Sequence, residues 1–412
     1  MKTMKSRGPA LAAVSACAIL LAGGAAAQQK EVVIGEQCDR TGVTQIVGVN
    51  LCPGIMDYVN LINSKGGVEG YKIKLDEIDN EYKVPPAIEA YERQKQLGAI
   101  STMMFGTPQT LALTQKLNED RIPGTSPGFG SSAAANGTRY PYVFPVAASY
   151  WSQSAAAVKF IKDRLGGLEG KKIAYLFYDN PAGHEPMVIL EELQKQEKFE
   201  LKTFAVPPPG VEMGAQVLDI SQRYRPDFVI AHLFGRSPSV AIKELKRAGY
   251  PLSKVIGMVW ASAEADIEAA GGWAVAEGYH TIQFAGVGED YPVHGEIVAM
   301  YKAEGKEPPK AIHSTVYYNR GVLEAALHVE AIRNAIKAKG GGMPTGEDVK
   351  KGFEQIHGFT LGGLVPPMEL SATDHEGGGW VQIFQVKGGK FVKETDWFRG
   401  YPEVLAKQLK SE

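Results

Sequence analysis

The chain has 412 residues, with 44 Lys and Arg against 46 Asp and Glu, for a net charge of −2. That balance excludes the strong positive field of a nucleic-acid or anionic-membrane binder. The 8 histidines are scattered, with no His-Glu-x-x-His and no Cys/His cluster, and neither a G-x-G-x-x-G nor a P-loop occurs; no metal and no cofactor is expected.

The first element is an export signal. Lys2, Lys5 and Arg7 give a positive start, an apolar stretch runs from Leu11 to Leu21, and Ala25 and Ala27 form an A-x-A exit that predicts cleavage after Ala27. The stretch is too short and too rich in Ala and Gly to span a membrane, which takes about 20 residues. Val14-Ser15-Ala16-Cys17 resembles a lipoprotein processing site, but the apolar run continues past Cys17 through Ile19, Leu20 and Leu21, which favours simple cleavage. Removing residues 1–27 leaves 385 residues and takes the net charge from −2 to −5. That length suits two domains. A soluble periplasmic protein is expected, since no later segment reaches spanning length. Only Cys38 and Cys52 remain, and an oxidising compartment favours their pairing. A disulfide there would close a short loop between the first strand and first helix, worth about 3 kcal/mol in the chain-entropy model. Two buried thiols are the other reading.

Strand and helix then alternate. Glu31–Gly35 reads as a buried strand. Leu51, Ile55, Val59 and Ile62 recur at helical spacing until Gly66-Gly67 stops the helix. Tyr71, Ile73 and Leu75 alternate as in a half-buried strand. A helix is predicted from Pro85 to Leu97, a strand from Ile100 to Phe105, a helix from Leu111 to Glu119, and a Gly/Ser-rich loop from Gly124 to Gly137. A second series follows: helix Ser149–Leu165, strand Lys172–Phe177, helix Pro186–Lys198, strand Phe199–Val206, helix Val217–Arg223, strand Asp227–Leu233, helix Pro238–Gly249 and strand Val255–Trp260. The expected fold is therefore α/β, two parallel-sheet lobes in succession. A long helix, Ile312–Ala338, and turn-rich strands within Gly352–Lys393 form a tail that would pack back onto both lobes and create a hinge.

Several loops carry candidate binding residues. Thr107-Pro108-Gln109-Thr110 sits between a strand and a helix, where Thr107 would cap and Pro108 would open the helix. The same geometry offers open N–H groups to an anion at a strand's carboxyl end. Gly124-Thr125-Ser126-Pro127-Gly128 matches the G-x-S-x-G nucleophile elbow. Pro127 lacks the N–H that an oxyanion hole needs, so a serine hydrolase is set aside and no enzyme activity is expected. Phe129, Gly130 and Ser131 would line a cleft as an apolar wall and donors. Tyr150 and Trp151 would stack on ligand or pack at the hinge. Asp179, Asn180 and His184 follow a strand end, as do Phe234 and Arg236; Arg236 would clamp a carboxylate or stay solvated. Trp260 would be lobe core or pocket wall.

These stretches carry a resemblance. Ile34-Gly35 through Thr41-Gly42, Asn60-Leu61-Ile62-Asn63-Ser64-Lys65-Gly66-Gly67-Val68-Glu69-Gly70, Phe105 to Thr110, Ile122 to Gly128, Ala174 to Gly183 and Ala276-Glu277-Gly278 are short, but their order runs along nearly the whole mature chain. In that order the chain resembles the type I periplasmic binding proteins of ABC transporters. It is similar in particular to the branched-chain amino acid (leucine/isoleucine/valine) binding family and its aromatic-acid relatives. The resemblance implies two Rossmann-like doubly wound lobes joined by a three-crossing hinge, residues 28–148 with about 285–360 and residues 149–284 with about 361–412. It also implies a monomer that captures a ligand between its lobes and hands it to permease subunits in the inner membrane; a sensing protein of the same fold is the alternative. By position, Thr107 to Thr110 and Phe129 to Ser131 match carboxylate-binding segments, while Asp179 to His184, Phe234 to Arg236 and Trp260 match segments of the second lobe. Where amino-acid binders carry tyrosines this chain has Ile46-Val47 and Ala182-Gly183, and the acid that pairs with the ligand's ammonium falls at Trp260, near Glu264. A buried ammonium without a partner is costly. An aromatic or other apolar carboxylate lacking an amine is therefore expected, with amino acids second.

Overall fold

The computed structural model describes Met1, Thr3 and residues 30–411. The expected signal and Cys17 fall almost wholly outside them. The first sheet comprises β1 (Glu31–Cys38), β2 (Lys72–Asp79), β3 (Ala99–Met103), β4 (Gly124–Thr125) and β5 (Val143–Phe144), all parallel in the order β2-β1-β3-β4-β5. Parallel neighbours need long crossovers. The helices Gln45–Ser64, Val84–Gln96 and Thr107–Asp120 supply three of them.

The second sheet begins with β6 (Lys172–Tyr178), β7 (Glu200–Val206), β8 (Phe228–His232), β9 (Val255–Gly257) and β10 (His280–Gln283). A separate small pair, β11 (His357–Phe359) and β12 (Met368–Glu369), follows. The hairpin β13 (Gln382–Lys387) and β14 (Lys390–Lys393) then joins the second sheet, antiparallel to β10, giving the order β14-β13-β10-β9-β8-β6-β7. The chain thus crosses between the sheets three times: after β5, after β10 and before β13. The expected α/β fold of two doubly wound lobes is what the chain adopts.

The long helix Thr315–Ala338 packs on the helix Gln45–Ser64 and so covers the first sheet. Contact is backbone to backbone. A Cβ on Gly54 would stand 2.3 Å from the Tyr318 carbonyl oxygen, and one on Gly321 would stand 2.1 Å from that of Leu51. Cys38 and Cys52 form a disulfide with Cα atoms 6.4 Å apart. It ties the end of β1 to the first helix. The loop between them is organised by Asp39, whose carboxylate accepts from the Gly42 N–H and from the N–H and hydroxyl of Thr44.

Some boundaries differ from the sequence reading. Thr107 is the first residue of its helix rather than the cap; the capping position is Gly106 at φ 103°, a conformation that suits glycine alone. The strand expected over Val255–Trp260 stops at Gly257, and Val259–Ala261 turns as a 3-10 helix. There the Val259 N–H donates to Gln153 Oε1 and its carbonyl accepts from Arg320, so both groups are satisfied away from the ladder. β10 gave no strand signal because His280, Thr281 and Gln283 are polar yet buried. The helices Pro292–Ala303, Gly346–Phe353 and Pro402–Ser411 were likewise not anticipated.

Candidate functional site

A cavity lies where the loops at the carboxyl ends of both sheets meet, the place where open parallel sheets collect ligands. From the first lobe it is lined by Thr44 after β1, Tyr82 after β2, Met104 to Thr107 after β3 and Phe129 after β4, with Val47 and Leu51 of the first helix. Phe234 after β8 and Trp260 after β9 face them, beside Tyr150 at the start of helix Tyr150–Leu165. Two ring pairs span the gap, Phe129 with Trp260 at 5.9 Å and Tyr82 with Phe234 at 6.0 Å between centroids.

Polar groups converge at one end. Burial pushes the Tyr150 phenol well up, helped by Tyr82, while hydrogen bonds with the Thr107 and Trp260 side chains oppose the shift. Thr107 Oγ1 also accepts from the Gly130 N–H at 3.2 Å. Trp260 is positioned by Tyr317, stacked on it at 6.1 Å, and by the Arg320 guanidinium over its ring. The long helix contributes Glu324 to the lining. Burial pushes its carboxyl up to about 8, against a hydrogen bond from Thr125. Glu36 on β1 lies on the same side and is fully buried; its carboxyl is pushed well up by burial and then by Glu77 and Glu324, with Arg40 opposing.

Of the residues singled out in the sequence, Thr107, Phe129, Tyr150, Phe234 and Trp260 line this cavity and the others stand outside it. Thr110 turns its hydroxyl to the Gly106 carbonyl, and Gln109 is buried. Beyond Gly130 and Ser131, the next residue, Ser132, donates its N–H and hydroxyl to Glu185 of the second lobe. Trp151 donates to the Glu185 carbonyl. Asp179 and His184 pair with each other at 2.8 Å near the surface. Asn180 caps the short helix Pro181–His184 and hydrogen-bonds Tyr82. Arg236 is exposed. Glu264 accepts from Thr315 and the Val316 N–H and so caps the long helix rather than facing the cavity. Ser126 is buried and followed by Pro127.

Glu324, Tyr82, Thr44 and the Met104–Gly106 segment escaped the sequence reading. A signal existed for Glu324: an acid in the middle of a helix that is otherwise apolar at that turn. Among the described residues, no cluster of His, Cys, Asp and Glu would hold a metal, and no helix is long and apolar enough to cross a membrane.

Residues 31–390 match the family model described as periplasmic binding protein. The chain belongs to that family. A solved structure from the Pseudomonas fluorescens group, described as an ABC transporter permease, is 33% identical, covers 93% of this chain and 96% of its own, and superposes with a TM-score of 0.84. A branched chain amino acid ABC transporter from Thermus thermophilus, solved with bound valine, is 22% identical over 92% of this chain and 99% of its own, at TM-score 0.80. A solute binding protein of an ABC transporter from R. palustris, in complex with benzoate, is 20% identical over 88% and 95%, at TM-score 0.71.

Proposed function

We propose that this member of the periplasmic binding proteins is the solute-binding component of an ABC importer, capturing a small organic carboxylate with an apolar body between its lobes. The observation that carries the reading is the convergence of Thr107, Tyr150 and Trp260 on a cavity walled by aromatic rings from both lobes. Hydroxyl and indole donors and the N–H groups that open a 14-residue helix suit a carboxylate, and the helix dipole adds about 0.3–1 kcal/mol. The rings suit the rest of the molecule. Valine and benzoate, bound by two structural neighbours, both have this make-up.

The mechanism is closure about the three crossings. The first lobe seats the carboxylate. The second then brings Phe234 and Trp260 against it and excludes water, and only contacts available in the closed form shift the balance. A close approach is built for this: a Cβ on Gly235, at φ 64°, would lie 2.3 Å from the Val43 carbonyl oxygen across the gap. The closed face is then presented to permease subunits in the inner membrane, without chemical change to the ligand.

The test is a thermal-shift panel of aromatic acids, aliphatic acids and amino acids on the mature chain, followed by calorimetry and small-angle scattering. A ligand at a hundred times its Kd stabilises by about 2.7 kcal/mol and should shrink the radius of gyration. Thr107→Val should weaken binding about tenfold, the loss of one hydrogen bond to a charged group. A panel in which nothing binds, or a Thr107→Val variant with unaltered affinity, counts against the proposal.

A further inference from the structure

We infer that the part of the cavity lined by Glu324 is a subsite for a cationic nitrogen of the ligand, with Glu324 as counter-ion, Glu36 behind it, and aromatic rings in the same cavity wall. This rests on the capture reading and narrows the ligand to one that carries an amine or quaternary nitrogen as well as a carboxylate. It reverses the expectation of an amine-free acid, which rested on Trp260 standing where an acid pairs with the ligand's ammonium.

Three observations carry it. The first is the charge of the lining: Glu324 is its single charged residue, and it holds no Lys, Arg or His. Six aromatic residues, Tyr82, Phe105, Phe129, Tyr150, Phe234 and Trp260, also line it. An acid within an aromatic box is the arrangement that attracts cations.

The second is the registered row beneath it. Glu36 is paired with Met103 across β1 and β3, and Met103 with Thr125 across β3 and β4. Glu324 reaches this row from the long helix, accepting from the Thr125 hydroxyl at 2.8 Å. Thr125 is also 2.8 Å from His328 Nε2, and His328 Nδ1 is 2.9 Å from the Ser101 hydroxyl. Both oxygens of Glu36 are buried and without a hydrogen-bond partner. A native structure rarely leaves such a group unmatched unless a partner arrives from outside.

The third is that the groups facing Glu324 do not neutralise it. Burial pushes His328 down to about 3, so it stays neutral. Arg320, one turn earlier, donates to Val259, Ser262 and Gln283 on the second lobe. From helix Gln45–Ser64, Asp57 is held by the Tyr301 and Tyr318 hydroxyls. From helix Gly346–Phe353, Lys350 pairs with Glu354. β3 and β4 present only Ser101 and Thr125, Arg40 pairs with Glu77 beyond Glu36, and the Tyr82 and Tyr150 phenols are held un-ionised by burial. A cation entering this subsite would ionise Glu324 and expel its proton, so affinity should rise with pH up to about 8.

The experiment uses calorimetry on the mature chain with matched probes: leucine against isocaproate, and para-aminomethylbenzoate against para-ethylbenzoate. The amine-bearing member of at least one pair should bind tenfold or more tightly than its partner. Its affinity should rise from pH 6 to pH 8. Glu324→Gln should remove the tenfold advantage and the pH trend, each read against the acid-only partner on the same variant. Glu324→Asp, which keeps the charge, should restore part of the advantage, and the Tm of each variant checks its fold. Acid-only members that bind as well as their partners, a Glu324→Gln variant with unchanged preference, or affinity that falls with rising pH would each overturn the inference and leave the capture reading standing. Binding by no compound of the wider panel removes both.

Discussion

Arg320 and Glu324 stand one turn apart on the same buried helix face, yet their surroundings are opposite. Arg320 gives hydrogen bonds to the Val259 carbonyl, the Ser262 hydroxyl and Gln283 Oε1, and lies over the rings of Trp260, Phe284 and Tyr317; only its Nε lacks a partner. Its guanidinium is drawn down only to about 10 despite full burial, so it remains charged. Glu324 has one hydroxyl and a second acid nearby, and its proton is held up to about 8. A buried charge whose partners all come from the chain is architecture, here a rivet between the long helix and the second lobe. A buried ionisable group short of partners beside a cavity is where a ligand completes the set.

The comparison can be broken at its strongest point first. Arg320→Leu should cost about 3–5 kcal/mol in urea unfolding, because it leaves Ser262 Oγ and Gln283 Oε1 without their donor in the interior and Val259 with only the Ser262 hydroxyl. A loss below about 1 kcal/mol would end its role as a rivet. The next effect is a pH slope. Glu324 binds its proton more tightly folded than unfolded, so the ligand-free protein should lose stability as pH rises towards 8. Buried Asp266 is pushed up only to about 7, and the buried His232, His280 and His328 are pushed down to about 3, 4 and 3. Between pH 7 and 8 Glu324 therefore contributes a falling slope of at most about 1.4 kcal/mol per pH unit. Thermal unfolding across that interval should show it, and Glu324→Gln should flatten it; an unchanged slope would mean Glu324 is ionised in the empty protein. The smallest effect belongs to Arg236→Ala. This exposed residue stands outside the cavity, and the variant should leave ligand affinity within about twofold, consistent with a surface change of at most about 0.5 kcal/mol.

The fold was readable where burial is one-sided or total. The spacing of Leu51, Ile55, Val59 and Ile62 announces the first helix, and the apolar core of β6 and β8 announces two strands. β10 was unreadable because its polar side chains are buried by partners from distant segments, such as the Ser262 carbonyl that accepts from Gln283. At the site, Thr107, Tyr150, Phe234 and Trp260 could be nominated because each stands at a predicted strand end or opens a helix, and Phe129 because its Gly/Ser-rich loop was read as lining a cleft. Thr110 and Arg236 satisfied the same rule and face elsewhere, since a loop position does not fix which way a side chain turns.

Local pattern thus determined what can be decided within a dozen residues: which segments are strands and helices, and that they alternate into two parallel sheets. It also marked the helix start that suits an anion. The tertiary structure alone decided which loops share a cavity, that Glu324 and Glu36 meet on one side of the first sheet, and that Glu264 caps a helix. Those outcomes depend on contacts between residues tens to hundreds of positions apart. Their energies come from burial and from hydrogen-bond partners that no local window contains.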